Sequence, residues 1–109
     1  MDIVVTTDSR KSSRKLLRCL VLVRSENGEI LQGRALDISQ GGISVMLKDS
    51  ISVNDFCEVR VELLLNGRRN LLLSEARVRS CICSQTMYRI GFQFLQLTPA
   101  QVSIISKLP

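Results

Sequence analysis

Cys57-Glu58-Val59-Arg60-Val61-Glu62-Leu63, followed by Asn66-Gly67 and then by Glu75-Ala76-Arg77-Val78-Arg79, is the stretch that decides the fold class of this 109-residue chain. Cys57, Val59, Val61 and Leu63 alternate with Glu58, Arg60 and Glu62, a period of two that sends one row of side chains into a core and the other into water. Asn66-Gly67 reads as a two-residue hairpin turn, because both residue types accept the positive φ that such a turn demands. Beyond it Ala76, Val78 and Ile82 alternate with Glu75, Arg77 and Arg79, so an antiparallel pair is predicted.

Similar runs flank this hairpin. Toward the N-terminus, Cys19 to Arg24 is a β-branched and leucine run that ends at Asn27-Gly28, a second two-residue hairpin signal, before Ile30 to Leu36 returns. Gly41-Gly42 breaks the chain, and Ile43, Val45 and Leu47 then alternate with Ser44 and Lys48, with Met46 blurring the polar face. Toward the C-terminus Tyr88, Ile90, Phe92 and Phe94 share one face and Arg89, Gly91 and Gln93 the other. Six short strands with turn signals between them predict an all-β antiparallel barrel or sandwich. One helix is predicted at the end, with Thr98 as N-cap, Pro99 at the first helical position, and Val102, Ile105 and Leu108 at helical spacing.

Composition bounds the function. The length suits one domain, and no apolar run approaches the roughly 18 residues of a membrane span, so no membrane insertion is expected. Met1 to Ser13 is polar and lacks the apolar core of a secretory signal, so a cytoplasmic protein with reduced thiols is expected. Cys19, Cys57, Cys81 and Cys83 contain one close pair and the chain has no histidine, so no metal site is predicted. The same lack removes Ser-His and Cys-His nucleophile pairs, and no paired carboxylates or phosphate loop appear, so no enzyme is expected. The net charge is +5, and Arg10, Lys11, Arg14, Lys15 and Arg18 concentrate it in one polar segment. Residues 1–17 are therefore expected to form a flexible arm, and residues 18–109 the folded domain.

Two groups carry the chemistry: Arg10-Lys11-Ser12-Ser13-Arg14, and Asp37-Ile38-Ser39-Gln40-Gly41-Gly42 at the turn after the second strand. If the first two strands form the Asn27-Gly28 hairpin, the arginine segment emerges beside that turn. Arginine forks onto phosphate oxygens or onto the O6 and N7 acceptors of guanine. Asp37 can accept from the N1 and N2 donors of guanine, Ser39 can donate or accept, and Gly42 admits a close ligand or backbone. Alone, the first group reads as a solvated basic tail and the second as an Asx or Ser turn with a flexible Gly41.

Together, in this order and separated by one hairpin, RxxxR and then [DN]xSxxG resemble the PilZ domain family, with Arg10 and Arg14 followed by Asp37, Ser39 and Gly42. Tyr88-Arg89-Ile90-Gly91-Phe92-Gln93-Phe94 and Leu97-Thr98-Pro99-Ala100-Gln101 are similar to its last strand and the opening of its helix. Arg14-Lys15-Leu16-Leu17-Arg18 is also an RxxxR; the first register is preferred because Arg18 abuts the Cys19 strand. The resemblance implies a six-stranded antiparallel β-barrel with a C-terminal helix, binding cyclic di-GMP on its outer surface. Arg10 and Arg14 would clamp phosphate and the Hoogsteen edge of guanine, and Asp37, Ser39 and Gly42 would seat a base beside Gly41. Arg18 and Lys11 would be peripheral contacts. The arm would then wrap over the ligand and the protein would signal in trans to a protein effector, in motility, biofilm or secretion control. Two other readings stand beside it. One is an interaction module of this fold without nucleotide. The other is a binder of DNA or RNA, which is disfavoured because Tyr88, Phe92 and Phe94 share a buried face and leave no stacking platform.

Overall fold

The computed structural model describes residues 14–109. Arg10, Lys11 and most of the expected arm lie outside the described residues. The elements are β1 (Lys15–Leu16), β2 (Leu20–Arg24), β3 (Ile30–Ile38), β4 (Gly42–Leu47), β5 (Phe56–Leu65), β6 (Arg68–Ser84), β7 (Met87–Phe94) and α1 (Pro99–Ser106). All strand pairs are antiparallel. β2 pairs with β3 and β5, and the ladder continues through β6, β7 and β4 back to β3, closing a six-stranded barrel. β1 is an additional strand on the edge of β3 that β2 also uses, pairing Lys15 with Ile38 and Leu16 with Asp37. No helix among the described residues is long and apolar enough to cross a membrane.

The period-two rows become the wall of the core. Val21, Val23, Val45, Val59, Val61 and Ile90 are fully buried, and Phe92 and Phe94 nearly so. Each such side chain contributes roughly 1.5–3 kcal/mol on leaving water. Asn66 and Gly67 have φ of 54° and 77°, the two-residue turn read from the sequence. The other hairpin is longer: only Gly28 has a positive φ, Gly28 N–H donates to Ser25 O, and Ser25 N–H donates to Glu29 O. Asn27 serves there through its side chain, whose Oδ1 accepts from Glu29 N–H at 3.0 Å.

Two register shifts depart from simple alternation. One lies between Ala35 and Asp37 on β3, the other between Val78 and Ser80 on β6. The second explains why Ile82, assigned to the core row with Ala76 and Val78, is 58% exposed: the extra residue reverses the faces beyond it. α1 begins with Thr98 and Gln101 capping one another, Thr98 Oγ1 accepting from Gln101 N–H and Gln101 Oε1 from Thr98 N–H. Ile105 and Leu108 join the core. Gln101 Nε2 also donates to Leu73 O at 3.0 Å, which ties the helix to β6.

Candidate functional site

The bulge on β3 builds the site. Gly33 and Ala35 are buried on the inner face, and without an extra residue Asp37 would follow them inward. The shift makes Asp37 the partner of Ser44 and Ile38 the partner of Ile43, so Ile38 takes the core position and Asp37 turns to the outer wall. Asp37 and Ile38 thus belong to strand β3, not to the turn expected from the sequence, and the turn is confined to Ser39, Gln40 and Gly41. The bulge on β6 does the same on the far side, setting Ser80 opposite Gly91. Between the two bulges lies an outer cleft of about 920 Å³, lined by Arg14, Ser39, Gly41, Gly42, Ser44 and, across it, residues of β6 and β7 including Arg79 and Arg89.

Arg14 joins the two halves of the predicted constellation. Its Nε stands 3.4 Å from Asp37 Oδ1, and its Nη1 donates to Ser39 Oγ at 3.4 Å. Arg89 Nη2 approaches the other carboxylate oxygen at 4.0 Å. The Arg14–Asp37 approach is an ion pair without hydrogen-bond geometry: Asp37 Oδ1 is buried and accepts no hydrogen bond from the described residues. The carboxylate is only 13% exposed and flanked by two guanidiniums, and among the described residues this acceptor has no donor.

Ser39 is 2% exposed and organises its turn. Its N–H donates to Gly42 O at 2.8 Å and its Oγ accepts from Gly41 N–H at 3.2 Å. Gly41 O in turn accepts from Phe94 N–H at 3.0 Å, which fastens the turn to β7. Gly42 is required by backbone packing, since a Cβ there would lie 2.0 Å from the Phe92 carbonyl oxygen. Of the candidate residues, Arg14, Ser39, Gly41 and Gly42 line one cleft, and Asp37 is tied to it through Arg14 without lining it. Arg18 lines a neighbouring groove instead.

Arg89 and Arg79 were not singled out from the sequence. Arg89 was assigned correctly to the outer face of the last strand, but nothing local shows that β7 lies against β4, with Ser44 opposite Gly91 and Met46 opposite Arg89. Arg79 sits at the bulge, which alternation alone does not reveal.

The fold and sequence have known relatives. A family model for the PilZ domain matches residues 8–108. No curated protein matches the sequence. Among solved structures, the inhibitor of motility MotI/DgrA of Bacillus subtilis superposes with a TM-score of 0.79 at 20% identity, over 89% of this chain and 48% of that one. The PilZ domain of YcgR from Escherichia coli, solved with c-di-GMP, gives 0.71 at 16% identity, over 90% and 86% of the two chains. The K. pneumonia MrkH complex with c-di-GMP gives 0.69 at 24% identity, over 90% and 48%. The chain thus spans about half the length of MotI and MrkH, and at these identities the likeness is one of fold. The family match takes in nearly the whole sequence, and the chain belongs to the PilZ domain family.

Proposed function

We propose that the protein is a cyclic di-GMP receptor with no catalytic role, using the cleft between the two bulges. The observation that carries this reading is the convergence of Arg14, Asp37 and Ser39, each within 3.4 Å of a partner in the set, from segments separated by a hairpin. A dinucleotide with two phosphates and two guanines meets suitable chemistry there. Arg14, Arg79 and Arg89 line the cleft and supply guanidiniums for phosphate or for O6 and N7, and the Asp37 carboxylate, which Arg14 contacts, is an acceptor of the type suited to the N1 and N2 donors of guanine. The cleft is of a size that small-molecule sites use.

Arg10 and Lys11, outside the described residues, precede Arg14 in sequence and would add cations to the same ligand. Binding would fix that arm over the barrel and alter the surface offered to a protein effector in trans, in motility, biofilm or secretion control. YcgR and MrkH, solved with c-di-GMP, and the motility inhibitor MotI support that reading by their shared fold.

Isothermal titration with cyclic di-GMP, alongside folded Arg14→Ala and with GTP as a control for anion binding, tests it. Saturable binding that Arg14→Ala removes and GTP does not imitate is the expected result. Absence of heat from a folded sample would overturn it and leave an interaction module without nucleotide.

A further inference from the structure

A second groove, of about 950 Å³, runs over the outer wall of β2, β3 and β4, beside the nucleotide cleft but separate from it. Its apolar side chains include Leu16, Leu20, Leu36, Met46 and Met87. Leu16 is 88% and Leu20 53% exposed, so leucines here face water on a barrel whose core is already filled. Among the described residues its charged lining is Arg18, Arg34 and Lys48, with no Asp or Glu. Clustered exposed leucines with methionines, whose unbranched side chains adapt to a partner, are unusual for a solvated face.

We propose that this groove docks an acidic amphipathic helix of a partner protein. The sign of the partner follows from the rim, which is cationic throughout. The helical form follows from the barrel. β2 lies between β3 and β5, β3 between β2 and β4, and β4 between β3 and β7, so these strands have no free edge for main-chain pairing. Among the described residues the one open edge nearby, β1, is only two residues long. An occupant must therefore bind through side chains, which is what a helix laid on a sheet face does. Among the described residues the groove holds no aromatic on which a nucleic-acid base could stack. A second copy of this chain would bring an equally cationic rim against the first.

The position is also informative. Met46 is the ladder partner of Arg89, so the groove shares a rung with the nucleotide cleft, and Leu16 is the partner of Asp37, which Arg14 contacts. The proposal does not rest on nucleotide binding, and its test uses the ligand-free protein.

The chain has three methionines, of which Met46 and Met87 line the groove and give two reporters of its occupancy. Protein labelled with ¹³C at the methionine methyls is titrated with a helical peptide of about 18 residues, its leucines on one face and glutamates on the other, and with the same peptide carrying lysines for the glutamates. The expected result is a saturable shift of the Met46 and Met87 signals with the acidic peptide, at least about tenfold tighter than with the basic one. Leu20→Ser should weaken the acidic peptide, and Arg34→Glu should weaken it while improving the basic one. No shift of the Met46 and Met87 signals, or equal affinity for the two peptides, would overturn the proposal. So would a peptide-free dimer in sedimentation that Leu20→Ser dissociates, or movement of the two signals by phosphatidylglycerol vesicles and not by peptide.

Discussion

Asp37 and Gly42 belong to one sequence motif yet hold different offices, and their substitutions are expected to fail in opposite ways. The Asp37 carboxylate faces Arg14 and Arg89 at 3.4 and 4.0 Å, and both arginine side chains are about half exposed. Ion pairs of that kind are worth about 0–1 kcal/mol, because water screens them and long side chains lose freedom. Asp37→Ala should therefore shift the urea unfolding free energy by less than about 1 kcal/mol. It should nonetheless weaken cyclic di-GMP binding at least about tenfold, since a charge-assisted hydrogen bond to the ligand is lost. Gly42→Ala puts a methyl group against the Phe92 carbonyl, which belongs to the backbone and cannot rotate away. A loss of about 1–3 kcal/mol is expected in the same urea experiment, as β4 and β7 separate to make room. An unchanged unfolding midpoint for Gly42→Ala would show that the strands yield more easily than this geometry allows.

A strand of two residues does not hold itself in place, so β1 needs an anchor, and Lys15 is the evident one. Its Nζ donates to Ser106 O at 2.8 Å and to Leu108 O at 2.5 Å, at the C-terminal end of α1, where carbonyls lack intrahelical partners. Leu17 N–H adds a bond to Leu36 O at 3.0 Å. Arg14 is the residue next to this anchor, so Lys15→Ala should loosen the segment that presents it. Faster hydrogen exchange at the Leu17 amide and a several-fold weaker cyclic di-GMP affinity are expected, with a change in global stability of less than about 1 kcal/mol. If exchange and affinity stay the same, the contact to the helix end is idle. The elements themselves were largely legible, because alternation in Cys57 to Leu63 and in Tyr88 to Phe94, and the Asn66-Gly67 turn, are local signals. What was not legible is set by distant pairing. The β3 bulge that turns Asp37 outward leaves no mark in its own residues, since Asp37-Ile38 ahead of Ser39 and two glycines reads as a turn, and only the pairing with β4 shows that the strand runs on through Ile38. Arg89 joined the site only because β4, fixed between β3 and β7, brings Met46 and Ser44 alongside it.

A closed barrel has no edge from which to unravel, so its inner wall opens only when the ladder does, and Cys57 reports that event. The thiol is 4% exposed on β5, and burial, with smaller contributions from Asp55 and Glu26, pushes its pKa from an ordinary 9.0 up to about 11. Cys83, near the end of β6, is exposed. At pH 8 an alkylating reagent should modify Cys83 at once and Cys57 only through opening of the barrel, at a rate set by the folding equilibrium. The raised pKa also gives stability a pH dependence of definite sign. The folded state holds the Cys57 proton more tightly than the unfolded chain, so this contribution is fully present below pH 9 and is lost as the pH rises through about 11. It amounts to at most about 2–3 kcal/mol. Ligand linkage makes the same thiol a gauge of the whole molecule. A ligand that binds only the folded barrel lowers the open population by a factor of 1 + [L]/Kd, so cyclic di-GMP at about 100 times its Kd should slow Cys57 alkylation roughly a hundredfold. In Arg14→Ala the nucleotide should have no such effect, while the rate without ligand stays close to that of the parent. If Cys57 reacts as fast as Cys83 in the unliganded protein, the wall between β5 and β6 opens locally, and the barrel does not act as one cooperative unit.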